Sequence, residues 1–226
     1  MAASSESAPR VRTRGWLAAI ALSAALAIIG AYMPQWPWLH WLCKPLTTLL
    51  IVGMLLGLPG AEPRYRTPIL IGLLFSLLGD VMLMLPFDGF VFGLASFLCA
   101  HIAYLWALTR RARLFARWQP FAVYALVAGA VLVVLWPRLP AGLHAPVLAY
   151  VAVLAAMAAQ AAAVAMVTRH RAAMLAAAGG AAFVLSDASL ALDRFATPFA
   201  LSGVIVLSTY WLAQTLLALS AENSAR

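Results

Sequence analysis

The sequence predicts an all-α membrane protein, a bundle of about eight transmembrane helices. Three observations carry that prediction. Hydrophobic residues make up 65% of the 226-residue chain and charged residues only 10%, against about 25% charged in soluble domains. The apolar residues fall into eight runs, each near the ~20 residues that cross a bilayer. The basic residues collect in the connections between those runs rather than on one face of them. A soluble domain of this size could not hide so much apolar surface.

Taken in order, residues 1–14 are small and polar, with Arg10, Arg12 and Arg14 just before the first apolar run. That resembles the n-region of a signal peptide, but no small-x-small cleavage site follows the run at 16–33. It reads as a retained first span. The connection PQWPWLHWLCK carries Trp36, Trp38 and Trp41, which fit an interfacial aromatic belt. Span 2 is expected at 40–58, followed by the turn-rich, basic LPGAEPRYR. Span 3 is expected at 67–85, with a tight turn at 86–89, and span 4 at 90–108. After the basic RRARLFARWQP come span 5 at 121–136 and a Pro/Gly-rich loop. Span 6 is expected at 146–167, then the basic TRHRA, span 7 at 173–192 and span 8 at 199–220. The domain reading is a basic tail at 1–14, one membrane domain at 15–220 and a short tail at 221–226.

Eight spans put both termini on one side. With the N-terminus in the cytoplasm, twelve basic residues fall inside, and only Lys44, Arg138 and Arg194 fall outside. The inside set includes Arg64, Arg66, Arg110, Arg111, Arg113, Arg117, Arg169, Arg171 and Arg226. This is the positive-inside pattern, so the net charge of +8 is a topology signal and no nucleic-acid partner is implied. The Ala- and Arg-rich composition points to a bacterial inner membrane. Cys43 and Cys99 lack CxxC spacing and read as small hydrophobes.

Two carboxylates interrupt the apolar runs. Asp80 lies about 14 residues into span 3, in FSLLGDVMLML, and Asp187 repeats the arrangement in FVLSDASLALDRF. A carboxylate at membrane depth costs at least ~2.5–3.5 kcal/mol on insertion scales, so it usually faces a polar interior. Asp80 lies six residues before Pro86 and Asp187 seven before Arg194. At 1.5 Å per residue that places both roughly 9–10 Å from the outer end. Both segments read D-x-x-L-x-L, four spans apart. This suggests a parallel repeat about an axis along the membrane normal, with chance similarity in Leu/Ala-rich sequence as the alternative. Each aspartate is either a buried anchor between helices or a reacting group. If the two carboxyls are close and partly desolvated, they cannot both ionise easily. An acid then sits beside a carboxylate, as general acid–base chemistry requires.

Other polar residues share these spans. Ser76 lies one turn before Asp80, Ser186 adjoins Asp187, and Gly79 allows close backbone approach. Lys44, in KPLTTLLIVG, either snorkels to the interface, pairs with an aspartate or binds an anionic head group. His101, with Tyr104 almost one turn on, is either a hydrogen-bonded packing residue or part of the site. The other histidines, His40, His144 and His170, fall near span ends or in loops on different sides. A zinc hydrolase, with its usual three protein ligands, is therefore not proposed, and no metal or cofactor is expected. Tyr210 and Gln214, one turn apart, and Tyr150 and Met157, two turns apart, read either as interhelical packing or as site groups. Asp88, Asp193 and Arg194 read as solvated turn residues. No GxSxG, HExxH or P-loop pattern is present.

The segments KPLTTLLI, FSLLGDVMLML, F-x-x-GLASFLCAHIAY, the Y-x6-M of span 6, and FVLSDASLALDRF followed by YWLAQTLL resemble the YhhN family. The likeness runs from about span 2 to span 8. It implies hydrolysis of the vinyl-ether bond of a lysoplasmalogen, a lysophospholipid, to fatty aldehyde and glycerophosphocholine or glycerophosphoethanolamine. It also implies that the family's paired aspartates are Asp80 and Asp187. One would protonate the vinyl ether and the other would stabilise the cation and activate water. Ser76, Ser186, His101, Tyr104, Tyr150, Tyr210 and Gln214 would support them, and Lys44 would hold phosphate. Two other readings remain at this stage. One is a proton-coupled transporter of a small amphiphile, which the scarcity of Gly/Pro breaks within the spans disfavours. The other is a hydrolase of another lysolipid. A non-catalytic scaffold rarely needs two buried carboxylates.

Overall fold

In the computed structural model, which describes residues 8–86 and 89–222, the chain is a bundle of eight long helices. They are α1 (Ala8–Tyr32), α2 (Pro37–Leu56), α3 (Pro63–Met84), α4 (Phe90–Thr109), α5 (Gln119–Leu135), α6 (His144–Thr168), α7 (Arg171–Phe195) and α8 (Ser202–Leu219). All eight carry stretches long and apolar enough to cross a membrane. Side chains before Thr13, together with Asp88 and Arg226, lie outside the described residues.

The expected spans correspond one to one with these helices, and the ends differ by local chemistry. Prolines at the first turns of α2, α3 and α5 start those helices several residues before the hydropathy rises, because proline's fixed φ suits a first turn and its missing N–H costs nothing there. The helix of α1 begins at Ala8, within the basic tail expected at 1–14, and its membrane-crossing stretch begins at Thr13. The TRHRA connection is short because His170 caps α7: its Nδ1 accepts from the Ala173 N–H at 3.1 Å. Gly60 supplies the left-handed turn before α3, with φ of 68°, a region glycine enters without penalty.

Large apolar side chains cover the outside of the bundle. Leu126 and Val133 are 75% and 76% exposed, which suits hydrocarbon and not water. Inside, close approach of helices is set by small residues. Ala158, Ala159, Ala161 and Ala163 of α6 are wholly buried, and a Cβ on Gly180 of α7 would come within 3.0 Å of the Ala158 Cα. Such small-residue seams let transmembrane backbones gain van der Waals contact where lipid supplies no hydrophobic drive.

The helices are arranged in two groups of four. α1 to α4 pack in sequence and so do α5 to α8, and α4 against α6 and α2 against α8 join the groups. These contacts map onto one another when the chain is advanced by four helices. Gly72 and Gly179 share the 107-residue offset of Asp80 and Asp187, and each faces the next helix of its group: Gly72 meets Tyr104 of α4, Gly179 meets Ala213 and Leu217 of α8. Short as the sequence match is, packing follows the repeat that it suggests.

A methyl group at Gly72 would overlap the Tyr104 ring, whereas Gly129 on α5 has no neighbour within 4 Å. Gly72→Ala should lower stability by ~1–3 kcal/mol, the usual cost of overpacking, and Gly129→Ala should leave it unchanged or raise it by up to ~1 kcal/mol. Thermal unfolding in detergent, followed by helix signal, reads both. Equal effects would mean that the Gly72–Tyr104 contact is not as close as the structure has it.

Candidate active site

Asp80 lies on α3 four residues from its end, and its side chain is 2% exposed. Its Oδ2 accepts from the Tyr210 hydroxyl of α8 at 2.8 Å and from the Thr48 hydroxyl of α2 at 3.1 Å. Its Oδ1 lies 3.6 Å from the Lys44 ammonium, also on α2. Lys44 and Thr48 are four residues apart, so one helical face supplies both. A buried carboxylate without partners would be prohibitive in this setting, and here three groups from two neighbouring helices serve it.

Asp187 lies on α7, with its side chain 16% exposed. Its Oδ2 accepts from the Tyr150 hydroxyl of α6 at 2.5 Å and lies 3.3 Å from His101 Nε2 of α4. The same Nε2 is 3.0 Å from the Tyr150 oxygen. Since Tyr150 gives its proton to the carboxylate, a hydrogen on His101 Nε2 satisfies all three groups at once. That leaves Nδ1 bare, and it is buried with no partner among the described residues.

The two clusters are counterparts under the four-helix shift. Each aspartate is served from the helix before it, α2 or α6, and from the last helix of the other group, α8 or α4. The chemistry is not repeated: an ammonium and two hydroxyls meet Asp80, an imidazole and one hydroxyl meet Asp187. No hydrogen bond joins Asp80 to Asp187 among the described residues. The Phe183 ring stands between the clusters on the core side, 5.0 Å from the His101 ring and 5.8 Å from that of Tyr210.

Both carboxyls line one cavity of about 320 Å³. Lys44, Tyr150, Ser186, Tyr210 and His40 contribute its other polar groups near them, and the remaining wall is mainly apolar, from α4 to α8. Asp193 and Arg194 also line it. Asp193 accepts from the Phe199 N–H at 3.0 Å, and the Arg194 guanidinium lies over the Phe90 ring at 4.1 Å. The last turn of α7 is therefore part of the cavity rim, not only a solvated turn.

Of the sequence candidates, Asp80, Asp187, Lys44, Tyr150, Ser186 and Tyr210 meet at the cavity, with His101 directly behind Asp187. Ser186 donates to the Val206 carbonyl at 3.0 Å. Ser76 and Tyr104 bond each other at 3.2 Å and stand behind the wall, with no bond to either aspartate. Gln214 is wholly buried, lacks an amide partner among the described residues and does not line the cavity. Lys44 does not snorkel: it is 7% exposed, and its charge is engaged by Asp80. Thr48 was missed, although its spacing from Lys44 announces it. The wall contributed by α5 was missed because nothing in that run departs from an ordinary apolar span. No group of three or more His, Cys, Asp or Glu side chains is placed to hold a metal ion among the described residues.

Fold and site together define a polytopic membrane protein with an interior cavity carrying two carboxylates. The chain belongs to the YhhN family, whose sequence pattern matches residues 39–221. It is 32% identical over 223 residues to human lysoplasmalogenase TMEM86B, covering 96% of this chain and 91% of that one. Human lysoplasmalogenase TMEM86A is 32% identical over 206 residues, with 84% and 80% covered. The lysoplasmalogenase of Mycobacterium tuberculosis is 33% identical over 206 residues, with 83% and 76% covered. No solved structure matches the chain.

Removing one partner of a buried ion pair strands the other charge, at a cost of ~3–5 kcal/mol. Lys44→Met should therefore destabilise the protein by about that much, and adding Asp80→Asn should restore most of the loss. A double-mutant cycle by thermal or denaturant unfolding measures the coupling. Additive effects would show that the two side chains do not act as a pair.

Proposed function

We propose that this protein is a lysoplasmalogenase of a bacterial inner membrane, with its basic helix ends in the cytoplasm and its two aspartates dividing acid and base duties. The observation that carries the reading is a single cavity lined by two carboxyls, each held by its own donors, beside an apolar wall. Identity of about a third to proteins named lysoplasmalogenase, over most of both chains, supports the same reaction class.

A vinyl ether is cleaved by protonating the β-carbon of its double bond. The electron pair of the C=C bond takes the proton, and the ether oxygen shares the positive charge left on the α-carbon. Water adds there and loses a proton. The resulting hemiacetal collapses to aldehyde and the glycerol hydroxyl, so one water is consumed and the acid is regenerated. Paired carboxylates handle a comparable cation in glycoside hydrolysis.

The two carboxyls stand in different surroundings, which suits them to different duties. Asp80 has the Lys44 ammonium and two hydroxyl donors beside it. Asp187 has the His101 imidazole and the Tyr150 hydroxyl. One carboxyl would deliver the proton to the vinyl ether, and the other would stabilise the cation and take the proton from water.

Purified protein should release fatty aldehyde from lysoplasmenylethanolamine or its choline analogue. Asp80→Asn and Asp187→Asn should each lower the rate by at least ~10²–10⁴-fold, the usual contribution of a general acid or base, with the helix signal unchanged. In ¹⁸O-water the glycerophosphate product should stay unlabelled, because its C–O bond to the glycerol carbon is kept. Label in that product, or full activity in either variant, would overturn the mechanism. Intact lipid carried across vesicles without aldehyde would make the protein a transporter.

A further inference from the structure

The wall of the cavity formed by α5 has no role in that chemistry. Tyr124, Ala128, Val131 and Leu135 recur at helical spacing and line the cavity. Yet Tyr124, Ala128 and Val131 are only half-buried, and α5 is the least covered of the eight helices. Only 11% of its spanning window is buried, against 56% for α6. The opposite face, with Leu126 and Val133, is turned to lipid. So α5 presents an apolar stripe to the interior that protein does not cover.

The reason lies in a break of the four-helix repeat. α1, the counterpart of α5, closes on α8: the Tyr32 hydroxyl donates to the Ala200 carbonyl at 3.1 Å and lies against Gly203. α5 leans on α6 and α7 and makes no comparable contact with α4. Leu135, Leu139 and Val147 close the end of this region with Leu94 and Phe195 around them. Below that plug, the cavity continues beside α5 towards Tyr124. From Leu135 to Tyr124 the arm runs about 16 Å at 1.5 Å per residue. Val127, Ala128, Val131 and Leu135 offer nothing to hydrogen-bond, so a polar ligand would be stranded there.

We propose that this arm binds the aliphatic chain of a single-chain lipid, with Tyr124 as its floor and the two aspartates lining the same cavity above it. The inference rests on the lysolipid reading above and adds where the chain lies and what limits its length. It orients the substrate, with the bond to be cleaved at the carboxyls and the hydrocarbon running along α5 towards the basic end of the bundle.

The test uses the full chain in detergent, Ala128→Trp to obstruct the arm, Tyr124→Ala to deepen it and Leu126→Trp on the lipid face as control. Binding of non-cleavable 1-O-alkyl lysophosphatidylethanolamines with twelve-, sixteen- and twenty-carbon chains is measured by thermal stabilisation. Aldehyde release is measured from the matching vinyl ethers. Ala128→Trp should lower the sixteen-to-twelve-carbon ratio in both assays by about tenfold, the equivalent of roughly two methylenes losing their burial. Tyr124→Ala should raise the twenty-to-sixteen-carbon ratio, and Leu126→Trp should change neither. Ratios unchanged in Ala128→Trp and Tyr124→Ala, or shifted equally by Leu126→Trp, would overturn the chain site. If wild type binds the alkyl lipids with these shifts but releases no aldehyde, the hydrolase reading fails and the chain site stands.

Discussion

The structure depends on solving one problem, the desolvation of two carboxyl groups within a membrane-spanning bundle. Hydrocarbon offers no donors, so every hydrogen bond to Asp80 and Asp187 must come from another helix. Asp80 thereby ties α3 to α2 and α8, and Asp187 ties α7 to α4 and α6. Those are also the helices through which the two groups of four meet. The groups suited to chemistry are thus the ones that hold the bundle in register. A change at either aspartate acts on both, which is why amide replacements, which keep the shape, are more informative than truncations.

Repetition explains how two such sites come to face one cavity. A four-helix unit with an aspartate on its third helix, placed twice about an axis along the bundle, brings the third helices to equivalent depths. It supplies each acid from equivalent neighbours. Function then requires the copies to differ. Asp80 is met by a lysine and a tyrosine, and Asp187 by a tyrosine and a histidine. One outer helix, α1, is sealed against the bundle, while its counterpart α5 stands off and leaves an apolar arm. The repeat places both carboxyls on one cavity, and these departures make its two sides chemically unlike.

The spans were legible because each is a continuous apolar run, and the two aspartates because nothing else in a membrane helix is so costly. The Lys44–Thr48 face could be read from spacing alone. The partners across helices could not. Tyr210 reaches Asp80 over 130 positions of chain and Tyr150 reaches Asp187 over 37, and helical periodicity says nothing about which faces meet. Gln214 shows the limit: one turn from Tyr210 places it near the site in sequence, but it is wholly buried and does not line the cavity. The helices α2, α3 and α5 begin before their expected spans because hydropathy marks where lipid begins, whereas proline marks where the helix does.

The separation of the two carboxyl clusters matters for the proposed reaction. Carboxyls that shared one proton would act at a single point. Protonation of a vinyl ether and attack of water take place on adjacent carbons, and the charge develops on the one that does not receive the proton. An acid and a carboxylate set apart can address both carbons at once, provided that the lipid is held lengthwise between them. The Phe183 ring keeps the clusters distinct on the core side, while the open side leaves room for the substrate. A chain anchored along α5 would fix which carbon meets Asp187 and which meets Asp80. On this view the apolar arm contributes to catalysis by alignment, since a misplacement of about 1 Å can cost a hundredfold in rate.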